Sequence, residues 1–168
     1  MTRREREITD PQKIKEILCG CSYLHLGLVD EGRPYVVPMN YGLKEEDGHY
    51  VIYLHGATTG RKLEIIQKNP ICCFTMERNV ILFEGKVACQ YGTAYECVMG
   101  TGQISIVNDT AEKIAALECI METQTGKEGF SFNDRMVSIV SVMRIDVEDI
   151  SAKYRPLPGA EERESDKE

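Results

Sequence analysis

The stretch from Gly32 to Pro70 constrains this chain more than any other. It reads GRPYVVPMNYGLKEEDGHYVIYLHGATTGRKLEIIQKNP. It divides into a strand over PYVVPMNYGL, a second strand over HYVIYLH, and a helix over TGRKLEIIQKN that Pro70 stops. Glu45, Glu46, Asp47 and Gly48 separate the two apolar runs with the acid-and-glycine chemistry of a hairpin loop. The second strand runs into His55-Gly56-Ala57-Thr58-Thr59-Gly60-Arg61-Lys62, where small residues open the helix and two cations occupy its first turn. Cations oppose the macrodipole at that end. They make sense if an anion sits there, held by free backbone N–H groups and balanced by the two side chains, and a phosphate is the natural one. A solvated helix face is the plainer reading of adjacent cations, but the flanking glycines and the strand-to-helix context favour the anion.

The rest of the chain surrounds that stretch with short strands and a few helices. Asp10-Pro11 is an N-cap followed by proline at the first helical position, and Ile14, Ile17, Leu18 and Cys21 recur at helical spacing behind it. YLHLGLV (Tyr23–Val29) reads as a strand that turns at Asp30-Glu31-Gly32. Beyond Pro70, ICCFTMER and VILFEGKVACQ read as two further strands, and Tyr95–Val107 as a longer one. Gly100 and Gly102 in the last of these form only G-x-G with no helix behind them, so a dinucleotide fingerprint is absent and bulges or a barrel bend are expected. Asp109-Thr110-Ala111-Glu112 opens a helix, and Ile114, Leu117, Ile120 and Met121 give it an apolar stripe up to Thr125-Gly126. MVSIVSVMRIDVEDISAKY reads as a late strand. One domain over residues 1–158 is expected, followed by an acidic, disordered tail from Gly159 to Glu168.

Charge and cysteine usage exclude several function classes. A net charge of −7 disfavours a nucleic-acid or anionic-membrane surface, so a bound phosphate must rely on local cations. No run approaches the length of a transmembrane span, and MTRREREITD lacks the apolar core of a signal peptide, so the expected location is the cytoplasm. The seven cysteines are odd in number and mostly lie in apolar runs, as Cys72 and Cys73, Cys89 and Cys119 do. Buried or half-buried thiols are therefore expected rather than a disulfide framework. Cys19-Gly20-Cys21 lacks a second pair, and His25, His49 and His55 are scattered singly, so no metal site is expected.

Consecutive short strands with tight turns favour an antiparallel barrel with peripheral helices over a parallel α/β sheet. Pro38 fits that reading, because proline cannot donate to a ladder and belongs at an edge or a bulge. There it leaves the backbone around Val37, Met39 and Asn40 facing something other than a strand; protection of an edge against aggregation is the plainer explanation.

V-P-x-N-Y-G at Val37–Gly42, followed by H-G-A-x-x-G-R-K at His55–Lys62 and then Asn69-Pro70, resembles the pyridoxamine-phosphate-oxidase-like flavin-binding split barrels, within them the nitroimidazole-resistance branch. The resemblance runs from RREREI near the N-terminus to about Pro158. It implies an antiparallel split barrel and a homodimer with FMN, or FAD, at each end of the subunit interface. Carried over by residue, Val37, Pro38, Met39 and Asn40 would line the isoalloxazine through their backbone, with His55, Gly56 and Ala57 along the ribityl chain. Thr59, Gly60, Arg61 and Lys62 would surround the phosphate. Tyr95, Glu96 and Cys97 would face the partner's flavin, with a cysteine where the family is expected to carry a small hydroxyl residue.

His55 is the histidine inside the motif and the candidate catalytic contact to flavin or substrate; a satisfied histidine at a strand end is its plainer role. No Ser-His-Asp or paired-carboxylate constellation stands out, and none is required, because a flavin carries the redox chemistry itself. The resemblance thus implies an oxidoreductase in which NAD(P)H supplies hydride and a small aromatic or nitro compound accepts electrons. A flavin store or redox sensor without turnover, and a haem-handling protein with His55 as ligand, are the alternatives.

Overall fold

The computed structural model describes residues 4–159. The tail from residue 160 onward, expected to be disordered, lies outside the described residues. Eight strands and four helices follow in the order β1 (Glu7–Ile8), α1 (Pro11–Gly20), β2 (Leu24–Asp30), β3 (Arg33–Met39), β4 (Tyr41–Glu46), β5 (His49–Gly56), α2 (Arg61–Lys68), β6 (Ile71–Phe83), β7 (Gly92–Val107), α3 (Thr110–Thr125), α4 (Asp134–Ser138) and β8 (Ser141–Arg155). Contacts group the described residues into two compact units, residues 4–21, 76–98 and 151–159 in one, and residues 22–75 and 99–150 in the other.

The strands form one sheet in the order β3-β2-β6-β7-β8-β5-β4, with β1 added on β8. The β2–β3, β2–β6, β4–β5, β5–β8 and β1–β8 ladders are all antiparallel. The two edge strands, β3 and β4, are neighbours in sequence, separated by Asn40 alone. This is the connectivity of a split barrel, whose edges meet through the chain rather than through a ladder.

That joint corrects the single strand expected over Pro34–Leu43. Asn40 Nδ2 donates to the Ser22 carbonyl and to Gln124 Oε1, both at 3.1 Å, and Gln124 Nε2 donates to the Tyr41 carbonyl at 2.9 Å. The chain is clamped at Asn40 and sent from one edge of the sheet to the other. Pro38 lies on the edge strand β3, opposite His25, as its missing N–H requires.

Two other expectations need correction. ICCFTMER and VILF form one continuous strand, β6, whereas VACQ lies in a loop with a short 3-10 turn at Ala88–Gln90. Met136–Ser138 belongs to α4 and not to a strand, because Asn133 Oδ1 accepts from Met136 N at 3.0 Å and caps a helical turn there. The helix starts hold as read: Asp10 accepts from Gln12 N at 2.9 Å, and Asp109 from Glu112 N at 2.8 Å. Gly126 closes α3 in the left-handed conformation (φ 66°).

In the unit of residues 22–75 and 99–150, α3 packs its Ala116, Leu117 and Ile120 against Val51 and Tyr53 of β5, with Val107, Val137 and Val142 completing the cluster. The helix lies on the strand backbone itself at Gly42, where a Cβ would meet Ile120 N at 2.6 Å. Gly100 and Gly102 are likewise positions of close approach, to the Phe74 ring and to the Asp146 carbonyl. Among the cysteines, Cys21, Cys72 and Cys97 are buried and Cys119 half-buried, but Cys19, Cys73 and Cys89 are exposed, contrary to the expectation for Cys73 and Cys89. In β6, residues 72, 74 and 76 are buried, so strand alternation turns Cys73 outward. Cys89 sits in the loop turn.

Candidate functional site

The end of β5 and the start of α2 are built from residues with almost no side-chain bulk. His55 and Gly56 close β5 opposite Val142 and Ser141 of β8. Ala57, Thr58, Thr59 and Gly60 then cross to α2 at the surface. Gly60 caps the helix with φ 133°, a conformation suited to glycine, and supplies no side-chain cap. Its carbonyl accepts from Leu63 N at 3.0 Å and Glu64 N at 3.3 Å. The amides of Arg61 and Lys62, in the first turn, have no protein acceptor among these bonds.

The two cations are held differently. Lys62 folds back over Gly56, where a Cβ would lie 2.9 Å from its Nζ, and it forms no ion pair among the described residues. Glycine at 56 is what lets the ammonium rest there. Arg61 reaches the β2–β3 hairpin instead: Nε and Nη2 donate to Asp30 Oδ2 at 3.2 and 3.1 Å, and its guanidinium carbon stands 5.1 Å from the centre of the Tyr35 ring. Asp30 and Tyr35 are site neighbours that the sequence reading passed over, since Asp30 reads simply as a turn residue. Their one signal is the two-residue turn that joins them, Glu31-Gly32, with both φ values positive (50° and 82°).

His55 is half-buried. Its Nδ1 is shut off from solvent and has no hydrogen-bond partner, which marks it out among the buried side-chain polar atoms of the described residues. A buried, unpaired ring nitrogen is costly, and such atoms in native proteins call for an explanation. On β3, Val37 is half-buried opposite Leu26, Pro38 exposed, and Met39 buried opposite Leu24. Asn40 spends its side chain on the corner clamp, so its backbone is what remains to offer a ligand.

Tyr95, Glu96 and Cys97 lie on β7 in the other unit. The Glu96 carboxylate accepts from Arg78 Nε at 2.6 Å and from Asn79 Nδ2 at 2.9 Å. Arg78 also donates to the Glu16 carbonyl of α1 at 2.6 Å and fills the space beside Gly20. Lys153 Nζ stands 5.9 Å from the centre of the Tyr95 ring, and the buried Cys97 Sγ lies 4.0 Å from Glu77 Oε1. Burial pushes the nearby Cys21 thiol up to about 11, with Arg78 pulling the other way. Cys72, bonded to the Gly102 carbonyl, is pushed up to about 12 by burial. Both are neutral and inert at physiological pH. No group of three or more His, Cys, Asp or Glu among the described residues is arranged to hold a metal ion. No described helix is long and apolar enough to cross a membrane.

Comparison with known proteins assigns the chain. A family model described as pyridoxamine 5'-phosphate oxidase matches residues 10–154. Among curated protein sequences, none matches significantly. A crystal structure from Bacteroides thetaiotaomicron VPI-5482, described as a candidate 5-nitroimidazole antibiotic resistance protein, superposes with a TM-score of 0.75 at 35% identity, covering 88% of this chain and 86% of that one. The flavocytochrome Anf3 from Azotobacter vinelandii shares the fold (TM-score 0.75, 21% identity, 99% of this chain and 78% of that one). So does an FAD and haem binding protein from Mycobacterium smegmatis (0.74, 14%, 97% and 80%). With the open antiparallel sheet, the Asn40 joint and the His55–Lys62 turn in place, the chain belongs to the pyridoxamine 5'-phosphate oxidase family of split barrels, and in it stands beside a nitroimidazole-resistance relative.

Proposed function

We propose that this protein is a flavin-dependent oxidoreductase that takes hydride from NADH or NADPH and reduces small aromatic or nitro compounds of the 5-nitroimidazole type. The observation that carries the proposal is the start of α2, which has no side-chain cap. Two amides and an ammonium with no acceptor or acid partner among the described residues, beside a glycine N-cap, form a seat for an anion. The phosphate of FMN suits it, and FAD offers the same chemistry.

The flavin, when bound, supplies the two-electron redox chemistry. The chain's residues bind and orient. Lys62 and Arg61 balance the phosphate, and the small residues from Gly56 to Gly60 let a polyhydroxylated chain approach the backbone. The backbone of Val37–Asn40 faces the ring system, and His55, with an imidazole nitrogen still to be satisfied, is the group placed to meet flavin or substrate. The working unit is a homodimer in the cytoplasm in which Tyr95–Cys97 of each subunit wall the partner's flavin, since one sheet of this size leaves a flavin ring exposed. The unpaired Nδ1 of His55 also favours a second reading, ligation of haem.

The visible spectrum of the purified protein tests these readings: flavin bands support the first and a Soret band the second. Steady-state oxidation of NADH and NADPH with a panel of nitroaromatic acceptors then tests turnover. A protein that binds flavin but oxidises neither donor with any acceptor would be a flavin store or sensor. Sedimentation at twice the monomer mass is expected, and a monomer that holds flavin tightly overturns the shared site.

A further inference from the structure

We infer that Asp30, on the β2–β3 hairpin, is the positioning residue that aims Arg61 at the flavin phosphate. The inference rests on the flavin reading above and assigns a role to a residue outside the family-like motif. Arg61 occupies the first turn of α2, where a cation is disfavoured by the helix dipole. Its side chain is 56% exposed, so a free arginine there would sample many rotamers. Two contacts remove that freedom. Asp30 Oδ2 takes the Nε–Nη2 edge of the guanidinium, and the Tyr35 ring lies under its face.

What remains is specific. Nη1 has no acceptor among the described residues, so the end of the fork is left to bind an anion. A guanidinium has five N–H donors in a fixed plane, and anchoring one edge fixes the direction of the others. The anchor is itself rigid. Asp30 pairs with Arg33 across a two-residue turn whose positive φ values lock the hairpin, and Tyr35 sits two residues further along β3. The Asp30 side chain is only 25% exposed, so the carboxylate end of the pair is the more sheltered one. The plain alternative is an ion pair that offsets a wrong-signed charge at a helix end; it predicts an effect on stability and none on phosphate recognition.

The test compares FMN with riboflavin, which lacks the phosphate, by quenching of flavin fluorescence on the full-length protein. Wild type should bind FMN well above riboflavin. Asp30→Ala should lower FMN affinity about tenfold and leave riboflavin within twofold, whereas Asp30→Asn, which keeps an oxygen for Arg61, should recover most of the loss. In an Arg61→Ala background, Asp30→Ala should have no further effect on FMN. A wild type that binds FMN no better than riboflavin overturns the reading of the turn and this inference with it. If the wild-type preference for FMN survives in Asp30→Ala, rises there, or falls equally for both ligands, the inference alone is overturned.

Discussion

Two cationic positions in the same unit are built on opposite principles. Arg144 on β8 is surrounded: Nη2 meets Glu46 at 2.9 Å and Asp146 at 2.8 Å, and Nη1 meets the Tyr53 hydroxyl at 3.0 Å and Glu112 at 3.5 Å. Those acceptors, Asp146 foremost, push its pKa further up. Lys62 at the start of α2 is given no acid among the described residues, and Arg61 is given one that holds a single edge. Arg144 ties β4, β5, β8 and α3 together and has no donor left to offer a ligand. The α2 cations keep donors in reserve, at a cost in local stability. A cation saturated by its own fold is architecture; one left short is available for binding.

Mutation can break that contrast, beginning with the saturated cation. Arg144→Met takes the charged partner from Glu112 and Asp146 beside a buried phenol and leaves Glu46 to Lys44 alone, and should cost about 2 kcal/mol in denaturant unfolding while leaving flavin affinity intact. A loss of flavin binding at full stability would invert the assignment. Replacing Arg61 and Lys62 together with alanine should do the reverse. Each removed contact is worth roughly 1.5–3 kcal/mol, so flavin affinity should fall by at least an order of magnitude with the fold retained. If the double variant keeps its flavin through dialysis, the phosphate is held elsewhere.

Acid sharpens the comparison further. Hydrogen bonds from Arg144, and then from Lys44, hold the Glu46 carboxyl below its ordinary value of 4.5. A carboxylate with a depressed folded pKa contributes stability that is present above its unfolded value and is lost as pH falls through the folded one. Stability should therefore decline below about pH 4.5, and the decline should be shallower in Glu46→Gln. An identical acid limb in that variant removes Glu46 from the account. The smallest effect is expected outside both regions. Cys97→Ser should preserve flavin binding and change nitro-acceptor turnover by less than about tenfold, or 1.4 kcal/mol. A loss of several orders of magnitude with flavin bound would mean thiol chemistry at the centre of the reaction.

What the sequence made legible was local. Asp10 and Asp109 cap amides two and three residues away, so α1 and α3 could be read from neighbouring letters. The His55–Lys62 turn was equally local, a run of small residues and a pair of cations within eight positions. The break at Asn40 was not legible, because its clamp is Gln124 on a helix far along the chain. The partner of Arg61 was hidden for the same reason: Asp30 meets it only once α2 has packed beside the hairpin. Asn133 was close enough to reveal α4, but the apolar run behind it imitated a strand.

The place of β8 carries a consequence for how the chain is made. The β2–β3 and β4–β5 hairpins can close as soon as they are synthesised, since their partners are a few residues apart. The remaining side of β5 pairs with β8, whose Ile145 meets Ile52 and Met143 meets Leu54. Translation at about 5–20 residues per second leaves β5 without that neighbour for on the order of ten seconds. During that interval the apolar run Val51–Leu54 waits with the hydrogen bonds of one edge unmade. Completion of this side of the sheet therefore waits for β8, the last of its described strands to be translated.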